Sequence, residues 1–364
     1  MRVNLFDFDL PPERIALWPA KPRDAARLLI VRPHGSPRLE DRRVAHLPDH
    51  LAPGDVLAVN DTRVIRAGLN GVRVRGKTSA RIEATLFERE GADLWRAFAR
   101  PAKKLKEGEV IRFAAMNRVA SSAEKSLDAA VVAKGGAGDV LLKFAFRGAA
   151  LDKAIERIGQ MPLPPYILSQ RPAGDKDTHY YQTLFAQKPG AVASPTASLH
   201  FTPRLVAALK ARGVLFQRVT LHVGPGTFLP VKADDTASHK MHAEWGEVTQ
   251  AAADTLNHAR RSGARIVAAG TTSLRILESA ARTDGKFAAF AGETSIFITP
   301  GYKFKAADVL LTNFHLPRST LFMLAAAFSG LETMQAAYAH AIAENYRFYS
   351  YGDACLLFPA ETRA

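Results

Sequence analysis

Short apolar runs separated by glycine turns dominate the stretch from residue 64 to residue 148. Several of these runs alternate apolar with charged residues, which is the pattern of a strand with one solvated face. The pattern predicts six strands, at 72–75, 81–87, 94–99, 110–113, 128–133 and 140–146. Six short strands spaced by glycine turns are typical of a small barrel or sandwich.

On either side of that stretch, apolar runs of strand length alternate with segments of helical spacing. Strands are predicted at 27–31, 56–59, 214–223, 265–269, 295–298 and 309–312, and helices at 151–158, 202–210, 249–261, 274–281, 321–328 and 332–344. The segment 161–167 is predicted to be extended, because its three prolines disfavour a helix.

The alternation of strands and helices predicts an α/β fold, with a mixed, largely parallel sheet and flanking helices. A small β-barrel domain is expected as an insertion into it. The expected domains are therefore a discontinuous α/β domain, 1–63 and 149–364, which we expect to be catalytic, and an inserted barrel, 64–148.

The net charge of the chain indicates which class of partner it binds. The 364 residues contain 49 Lys and Arg against 35 Asp and Glu, a net charge of +14. Residues 61–150 alone contain 18 basic and 10 acidic residues, a net +8, and the densest basic cluster is 100–106. A basic surface favours a polyanion such as nucleic acid. The alternatives are an anionic membrane surface and an enzyme whose charge only aids solubility.

The amino-acid composition excludes several classes of protein. With 47% hydrophobic and 23% charged residues, the chain is neither a disordered protein nor a disulfide scaffold. The N-terminal residues lack the pattern of a signal peptide, and no apolar run reaches the length of a membrane span. The lone cysteine, Cys355, lies in an apolar run and is interpreted as a core residue. We therefore expect a cytoplasmic protein that does not bind a membrane.

Candidate chemistry follows the predicted strands, where functional residues of α/β sheets collect. Polar clusters lie at 194–202, 222–228, 239–244, 270–275, 312–317 and 346–353. The run Thr271, Thr272, Ser273 either caps a helix or, with Arg275, binds a carboxylate. His239, His242 and Glu244 resemble metal ligands but lack the spacing of a known helical metal motif, so we expect no metal. The sequence contains neither a dinucleotide-binding glycine motif nor a Walker phosphate loop.

Several ordered motifs together resemble one family. They are Pro-Leu-Pro-Pro-Tyr-Ile at 162–167, Tyr-Gln-Thr at 181–183, Pro-Thr-Ala at 195–197, Leu-His-Phe-Thr at 199–202, His-Val-Gly-Pro-Gly-Thr-Phe at 222–228, Thr-Asn-Phe-His-Leu-Pro at 312–317 and Tyr-Arg-Phe-Tyr-Ser-Tyr-Gly-Asp-Ala at 346–354. The sequence resembles the S-adenosylmethionine:tRNA ribosyltransferase-isomerases of queuosine biosynthesis over nearly its whole length. It departs from them at Ser198, where Gly is usual, at Leu221, where Thr is usual, and near 76–80, which lacks the usual Gly pair.

The resemblance implies an activity. Such a transferase moves and isomerises the ribosyl part of S-adenosylmethionine onto 7-aminomethyl-7-deazaguanine at the tRNA wobble position. It gives epoxyqueuosine-tRNA, adenine and methionine. The resemblance also implies an α/β domain with an inserted barrel. S-adenosylmethionine is then a substrate, no cofactor is permanently bound, and the partner is the tRNA anticodon arm. We expect the protein to act as a monomer.

That chemistry requires a base, a group for the sulfonium cation and a clamp for the methionine carboxylate. The expected catalytic residues are His200 or His242 as the base and Glu244 or Asp353 near the cation. The expected donor-binding residues are Thr271, Thr272, Ser273 and Arg275 for the carboxylate, Asn313 and His315 for adenine, and Thr196. The expected phosphate contacts are Arg100, Lys103, Lys104 and Arg347.

Two other classes compete with this hypothesis. A non-enzymatic RNA-binding protein would explain the basic segment, but it needs fewer titratable groups after the strands. An RNA methyltransferase would also use S-adenosylmethionine, but the sequence lacks a glycine-rich loop after its first strand. Release of adenine, of S-adenosylhomocysteine or of neither would distinguish the three.

Overall fold

The computed structural model describes residues 1–115, 126–136, 138–224, 226, 231 and 233–361. The chain forms two compact units. Unit 1 comprises 1–63, 182–188 and 194–364, and unit 2 comprises 64–181 and 189–193. Unit 2 therefore extends beyond the predicted insertion of 64–148. The reason is a helix at 148–158, whose apolar face joins the barrel core through Leu151, Ala154, Ile155 and Ile158.

The strands and helices of the described residues are numbered in chain order. The strands are β1 (Arg27–Val31), β2 (Leu39–Arg43), β3 (Val56–Asn60), β4 (Thr62–Val64), β5 (Gly68–Arg75), β6 (Thr78–Arg89), β7 (Leu94–Arg100), β8 (Val110–Ala114), β9 (Ser126–Lys134), β10 (Asp139–Phe144), β11 (Lys188–Ala191), β12 (Leu215–Leu221), β13 (Glu244–Val248), β14 (Ile266–Ala269), β15 (Phe290–Thr294), β16 (Val309–Asn313) and β17 (Ala354–Leu357). The helices are α1 (Gly148–Ile158), α2 (Pro165–Leu168), α3 (Asp175–Tyr180), α4 (Pro203–Ala211), α5 (Gln250–Arg261), α6 (Thr271–Ala280), α7 (Thr320–Ser329) and α8 (Leu331–Ala343).

Unit 1 is built on a sheet of nine strands among the described residues, in the order β15-β13-β12-β3-β14-β16-β17-β1-β2. The central strands β12, β3, β14 and β16 are parallel neighbours, and antiparallel strands lie toward both ends. β3, β14 and β16 are buried throughout, as expected for parallel strands covered on both faces. The predicted mixed α/β sheet with flanking helices is confirmed.

Two helix starts in unit 1 show how local sequence sets the elements. Thr202 caps α4 by accepting a hydrogen bond from the Leu205 N–H at 3.2 Å, as predicted. The expected cap at 271–273 is wrong, because these residues already form the first turn of α6. The cap position is Gly270, whose φ of +98° suits a residue without a side chain. Within this first turn the Ser273 hydroxyl donates to the Ala269 carbonyl at 2.9 Å, whereas the Thr272 hydroxyl is buried without a described partner.

Unit 2 contains a closed barrel in the order β10-β7-β6-β5-β8-β9, with antiparallel pairing between neighbours. All six strands predicted for this stretch are confirmed. Alternate residues point inward, so Leu86, Ile111, Phe113 and Val140 are buried while charged side chains lie outside. The short strands β4 and β11 pair with each other in a separate two-stranded sheet.

Other predictions are corrected. The strand expected at 295–298 lies at Phe290–Thr294, where it pairs with β13. The segment expected to be extended ends in the short helix α2, because Pro165 occupies the first helical position, where a missing N–H costs nothing. Among the described residues, no helix is long and apolar enough to cross a membrane.

Candidate active site

The site lies in unit 1, at the edge of the sheet where the parallel strands end. β3 ends at Asn60, β12 at Leu221, β14 at Ala269 and β16 at Asn313. Because parallel strands finish at the same edge, the residues that follow them are brought together there. Two clusters of the expected site residues form at this edge, one uncharged and one charged.

The uncharged cluster joins three residues of the expected set. Asn313 lies within hydrogen-bond distance of His200, with its Nδ2 atom 3.3 Å from Nε2 of the imidazole. The Thr196 hydroxyl donates to Oδ1 of the same amide at 3.3 Å, and Asn313 Nδ2 also donates to the Tyr349 carbonyl at 3.2 Å. Because Asn313 Nδ2 is a donor, it fixes the imidazole with Nε2 as an acceptor.

Burial decides the charge of His200. The side chain is buried, and this lowers the pKa of His200 to about 4, although the nearby Asp353 carboxylate acts in the opposite direction. His200 is therefore a neutral imidazole at pH 7. Such a group is suited to accepting or donating a hydrogen bond, and it is a weak proton acceptor.

Asp353 holds the turn beside this cluster. Its carboxylate accepts hydrogen bonds from the Arg27 N–H at 3.0 Å, the Arg347 N–H at 2.8 Å and the Arg347 guanidinium at 2.9 Å. Three donors on one carboxylate fix the backbone of the turn and the direction of Arg347. The structure therefore gives Asp353 a positioning contact, and Arg347 remains about one-third exposed.

His315 lies inside the protein at the same end of β16. Its Nε2 is 2.9 Å from the Thr312 hydroxyl, and its N–H donates to the Tyr338 hydroxyl at 2.9 Å. Burial lowers the pKa of His315 to about 3, so this imidazole is also neutral at pH 7. Its contacts are those of a side chain that orders the loop after β16.

The charged cluster is a buried ion pair between Glu244 of β13 and Arg275 of α6. The second carboxylate oxygen of Glu244 accepts a hydrogen bond from the Gly224 N–H at 2.8 Å. Arg275 also donates through Nε to the Ile296 carbonyl at 3.3 Å. The two residues expected to bind different parts of a ligand are thus direct partners.

Several polar atoms near the start of α6 are buried without a hydrogen-bond partner among the described residues. They are Arg275 Nη2, Thr272 Oγ1 and Ser198 Oγ. The segment that carries Ser198 lies close by, since a Cβ on Gly270 would stand 3.4 Å from that of Ala197. Unsatisfied buried donors are costly. Each of these atoms gains a hydrogen bond when an anionic or strongly polar ligand group reaches it, and the N–H groups of the helix start favour an anion.

His242 lies beside the loop that follows β12. It is exposed, and a Cβ on Gly226 would stand 2.9 Å from its Cδ2 atom. Gly226 and Gly224 thus bring one loop against both His242 and Glu244. Within the motif 222–228, residues 225, 227 and 228 lie outside the described residues.

The candidate metal set His239, His242 and Glu244 does not come together. Glu244 is paired with Arg275, and the His239 ring packs edge-on against Phe297 at 5.2 Å. Within the described part of the chain, no group of three or more His, Cys, Asp or Glu side chains is placed to hold a metal ion.

The barrel cations of unit 2 fall into two groups. Arg73, Arg75, Arg89, Arg96 and Arg112 all form ion pairs with acidic residues. By contrast, the exposed side chains of Arg100, Lys103 and Lys104 form no salt bridge with a described residue. Their loop is fixed from below, because Leu105 is buried and the Lys104 carbonyl accepts from Arg73 at 2.8 Å. It presents free positive charge on a fixed backbone.

Sequence reasoning missed the residues at the end of β3 and directly after it. The Asn60 side chain donates to the Leu221 carbonyl at 2.9 Å and accepts from the Thr62 N–H at 3.1 Å. The Thr62 hydroxyl lies 2.8 Å from His222 Nδ1. The available sequence pattern was the run Asn-Asp-Thr directly after a buried strand.

Comparison with known proteins identifies the family to which this chain belongs. A family profile described as "Queuosine biosynthesis protein" matches residues 3–357. The chain belongs to this family. It is 68% identical to a protein of Methylocella silvestris named "S-adenosylmethionine:tRNA ribosyltransferase-isomerase", with 100% of this chain and 99% of the relative covered.

Two other similar proteins carry the same or a closely related name. A protein of the same name from Beijerinckia indica is 63% identical, covering 99% of this chain and 97% of the relative. A solved structure, titled as an S-adenosylmethionine tRNA ribosyltransferase from Thermotoga maritima, has 34% sequence identity and a TM-score of 0.53. It covers 97% of this chain and 99% of its own.

Proposed function

We propose that this chain transfers and isomerises the ribosyl part of S-adenosylmethionine onto 7-aminomethyl-7-deazaguanine at the tRNA wobble position. The products are epoxyqueuosine-tRNA, adenine and methionine. The observation that carries the proposal is that one edge of the sheet has both an uncharged imidazole–amide cluster and a guanidinium with an unused donor. The first suits a neutral heterocycle and the second a carboxylate. S-adenosylmethionine contains both.

The donor's amino acid end binds at the start of α6. Arg275 Nη2 and the Thr272 hydroxyl are buried donors without described partners, and both residues belong to the first two turns of this helix. A carboxylate there gains charge-assisted hydrogen bonds and the favourable end of the helix dipole. Glu244, which already faces Arg275, supplies negative charge near the sulfonium.

The adenine end binds near Thr196, His200 and Asn313. A neutral imidazole and an amide supply both donors and acceptors for a heterocycle. Asn313 orients His200, and His315 orders the loop behind it. Asp353 acts as a positioning residue through Arg347.

We assign the base to His242 rather than His200. Removing a C5′ proton next to the sulfonium needs a proton acceptor that works near neutral pH. Burial lowers the pKa of His200 to about 4, which makes it a weak acceptor. His242 is exposed beside the loop that contacts Glu244. The electron pair left by the proton starts the expulsion of adenine, which takes up a proton as it leaves. The aminomethyl nitrogen of the tRNA base forms the new C–N bond to the ribosyl part and loses a proton, and the electron pair of the broken C–S bond leaves with neutral methionine.

The tRNA phosphates contact the loop that carries Arg100, Lys103 and Lys104 in unit 2, and Arg347 in unit 1. The three barrel side chains are exposed, and no described acidic residue neutralises them. We assign the RNA part to the anticodon arm, the protein to the cytoplasm and the working form to a monomer.

Product analysis tests the activity. Purified protein is incubated with S-adenosylmethionine and tRNA that carries 7-aminomethyl-7-deazaguanine, and small molecules are followed by mass spectrometry. We expect free adenine and methionine in amounts equal to the modified tRNA. S-adenosylhomocysteine would instead indicate methylation, and no turnover would indicate simple RNA binding. Either result would overturn the proposal.

Single-turnover ribosyl transfer at saturating substrates tests the base. His242→Ala should slow the chemical step by about 10²-fold or more, in the range of general base catalysis. His200→Gln keeps a hydrogen-bonding side chain and should weaken substrate binding more than it slows chemistry. Equal losses of rate in His200→Gln, with His242→Ala unaffected, would transfer the role of base to His200.

Salt dependence tests the phosphate contacts. The variant Lys103→Glu/Lys104→Glu should weaken tRNA binding and flatten the plot of log affinity against log salt, by roughly 0.9 for each lost phosphate contact. The control is Arg112→Gln, because Arg112 is already paired with Asp128 at 2.9 Å. An unchanged slope in the double variant would remove this loop from the RNA interface.

A further inference from the structure

The indole of Trp245 is stacked on the imidazole of His222 at the edge of unit 1. The ring centroids are 5.2 Å apart and the planes differ by 21°. Trp245 is nevertheless 41% exposed. An indole with one face covered by a second ring and this much exposure presents flat aromatic surface to whatever binds there. Nothing in the proposed reaction uses it.

This stack lies on the opposite face of β13 from the ion pair. Glu244 pairs with Arg275 of α6, and a Cβ on Gly246 would stand 2.5 Å from Ile276 of the same helix. Side chains alternate along a strand, so Trp245 points away from α6. A ligand on Trp245 is therefore separated by the strand from a carboxylate bound by Arg275.

The stack is held rigidly. The His222 N–H donates to the Trp245 carbonyl at 2.8 Å, and its Nδ1 is 2.8 Å from the Thr62 hydroxyl. Thr62 is itself fixed by the Asn60 side chain, which also bonds both polar groups of the Leu221 backbone. The His222 imidazole is thus held by Thr62 on one side and by the indole on its face, so the pair loses little conformational freedom when a ligand stacks on it.

The imidazole in the stack is uncharged. Burial lowers the pKa of His222, against the opposing effect of the nearby Asp61 carboxylate. Lys188 also lowers this pKa and Glu247 raises it. Because neither ring carries a charge, the pair has the character of two stacked heteroaromatic rings, and its outer face suits a third one.

We propose that Trp245, backed by His222, is a stacking platform for one unpaired nucleobase of the tRNA. Proteins hold single-stranded RNA mainly by stacking its bases on aromatic side chains. The adenine of the donor is a second source of a flat base, but the strand between Trp245 and Arg275 favours the RNA. The inference rests on the proposed function, because that function supplies a tRNA loop with unpaired bases.

Binding of tRNA that carries 7-aminomethyl-7-deazaguanine tests the platform. Trp245→Ala should raise the Kd roughly 5- to 150-fold, the range of base–aromatic stacking. Trp245→Phe keeps a flat ring and should stay within about threefold of the unaltered protein. The matched control is Phe146→Ala, which removes an aromatic ring that is 41% exposed in unit 2. Thermal unfolding of each variant shows whether it is folded.

A fluorescent base shows whether the nucleobase that stacks on Trp245 comes from the tRNA. In tRNAs with 2-aminopurine at single anticodon-loop positions, stacking on Trp245 should quench the emission at one position, and Trp245→Ala should restore it. Unchanged tRNA affinity in Trp245→Ala together with a raised KM for S-adenosylmethionine would place the donor's adenine there instead and overturn the inference. Unchanged values of both would also overturn it.

Failure of the proposed function is separately visible. The unaltered protein would then release no adenine, whatever its RNA affinity. Loss of tRNA binding in Trp245→Ala without any adenine release from the unaltered protein would uphold the platform and reject the reaction.

Discussion

The two clusters at the sheet edge differ in the charge of the polar groups that they bury. Around His200 and Asn313, buried groups remain uncharged and satisfy one another through hydrogen bonds. Around Glu244 and Arg275, two full charges are buried together and one guanidinium nitrogen has no described partner. A neutral network recognises shape and hydrogen-bond pattern, whereas an incomplete charged pair attracts charge.

The difference shows which cluster is more sensitive to change. A buried ion pair stands only while both members are present, because a single buried charge is strongly destabilising. A neutral network loses hydrogen bonds one at a time, at about 1–3 kcal/mol for each buried partner left unsatisfied. The comparison therefore predicts a large loss of stability when the charged pair is broken, and a stability that depends on pH for the neutral cluster.

The largest expected effect comes from breaking the charged pair. Arg275→Met leaves the buried Glu244 carboxylate with the Gly224 N–H as its main described partner. The free energy of unfolding should fall by about 3–5 kcal/mol, measured by urea unfolding at pH 7.

The control for this prediction is the double variant Arg275→Met/Glu244→Leu, which removes both charges and should recover most of the loss. If Arg275→Met alone costs less than about 1 kcal/mol, the pair is solvated and the contrast between the clusters fails.

The second prediction concerns the stability of the protein at low pH, where the buried His200 of the neutral cluster resists protonation. Burial lowers the pKa of His200 to about 4, below the usual value of 6.5. Above pH 6.5 both the folded and the unfolded states carry a neutral imidazole. Below it the unfolded state binds a proton that the folded state rejects, so stability falls as the pH drops toward 4, by about 3 kcal/mol in total.

His200→Gln removes that proton site and should reduce the loss of unfolding free energy between pH 7 and pH 4.5. The comparison is with His258→Gln, a substitution of an exposed histidine in α5. An identical pH dependence in His200→Gln and the unaltered protein would show that His200 is not buried in its neutral form.

The smallest expected effect concerns the ligand. Arg275→Lys keeps a positive charge for Glu244 but loses the fixed fork of the guanidinium. The Kd for S-adenosylmethionine should rise about tenfold, as for one lost charge-assisted hydrogen bond of about 1.4 kcal/mol. The Kd for decarboxylated S-adenosylmethionine should change little, because that ligand lacks the carboxylate. Equal losses for both ligands would place the carboxylate elsewhere.

The sequence pattern was sufficient to predict the elements whose structure depends mainly on neighbouring residues. The six barrel strands follow from alternation and glycine turns, and the start of α4 follows from Thr202 and Pro203. The strand expected at 295–298 was misplaced because the apolar run there lies outside the sheet, whereas Phe290–Thr294 pairs with β13. Pairing between distant strands overrode local composition.

The site could be predicted as a set of residues but not as a set of partners. Asn313 and His200 are 113 residues apart, and Glu244 and Arg275 are 31 apart. Sequence identified all four as polar residues near strand ends. It could not show that two would be neutral neighbours and two a buried ion pair, because burial and contact depend on the packed sheet. The exposed indole of Trp245 carried no sequence pattern of its own.

The two large sheets of the described residues differ in whether they have open edges. The barrel closes on itself, so no strand of it has a free edge among the described residues. The nine-stranded sheet ends at β2 on one side, where Glu40, Asp41, Arg42 and Arg43 follow one another. An open edge is a template on which a second chain can add a strand, and consecutive charges oppose that addition. The charges at 40–43 therefore protect this open border against strand addition, a protection that the closed barrel does not need.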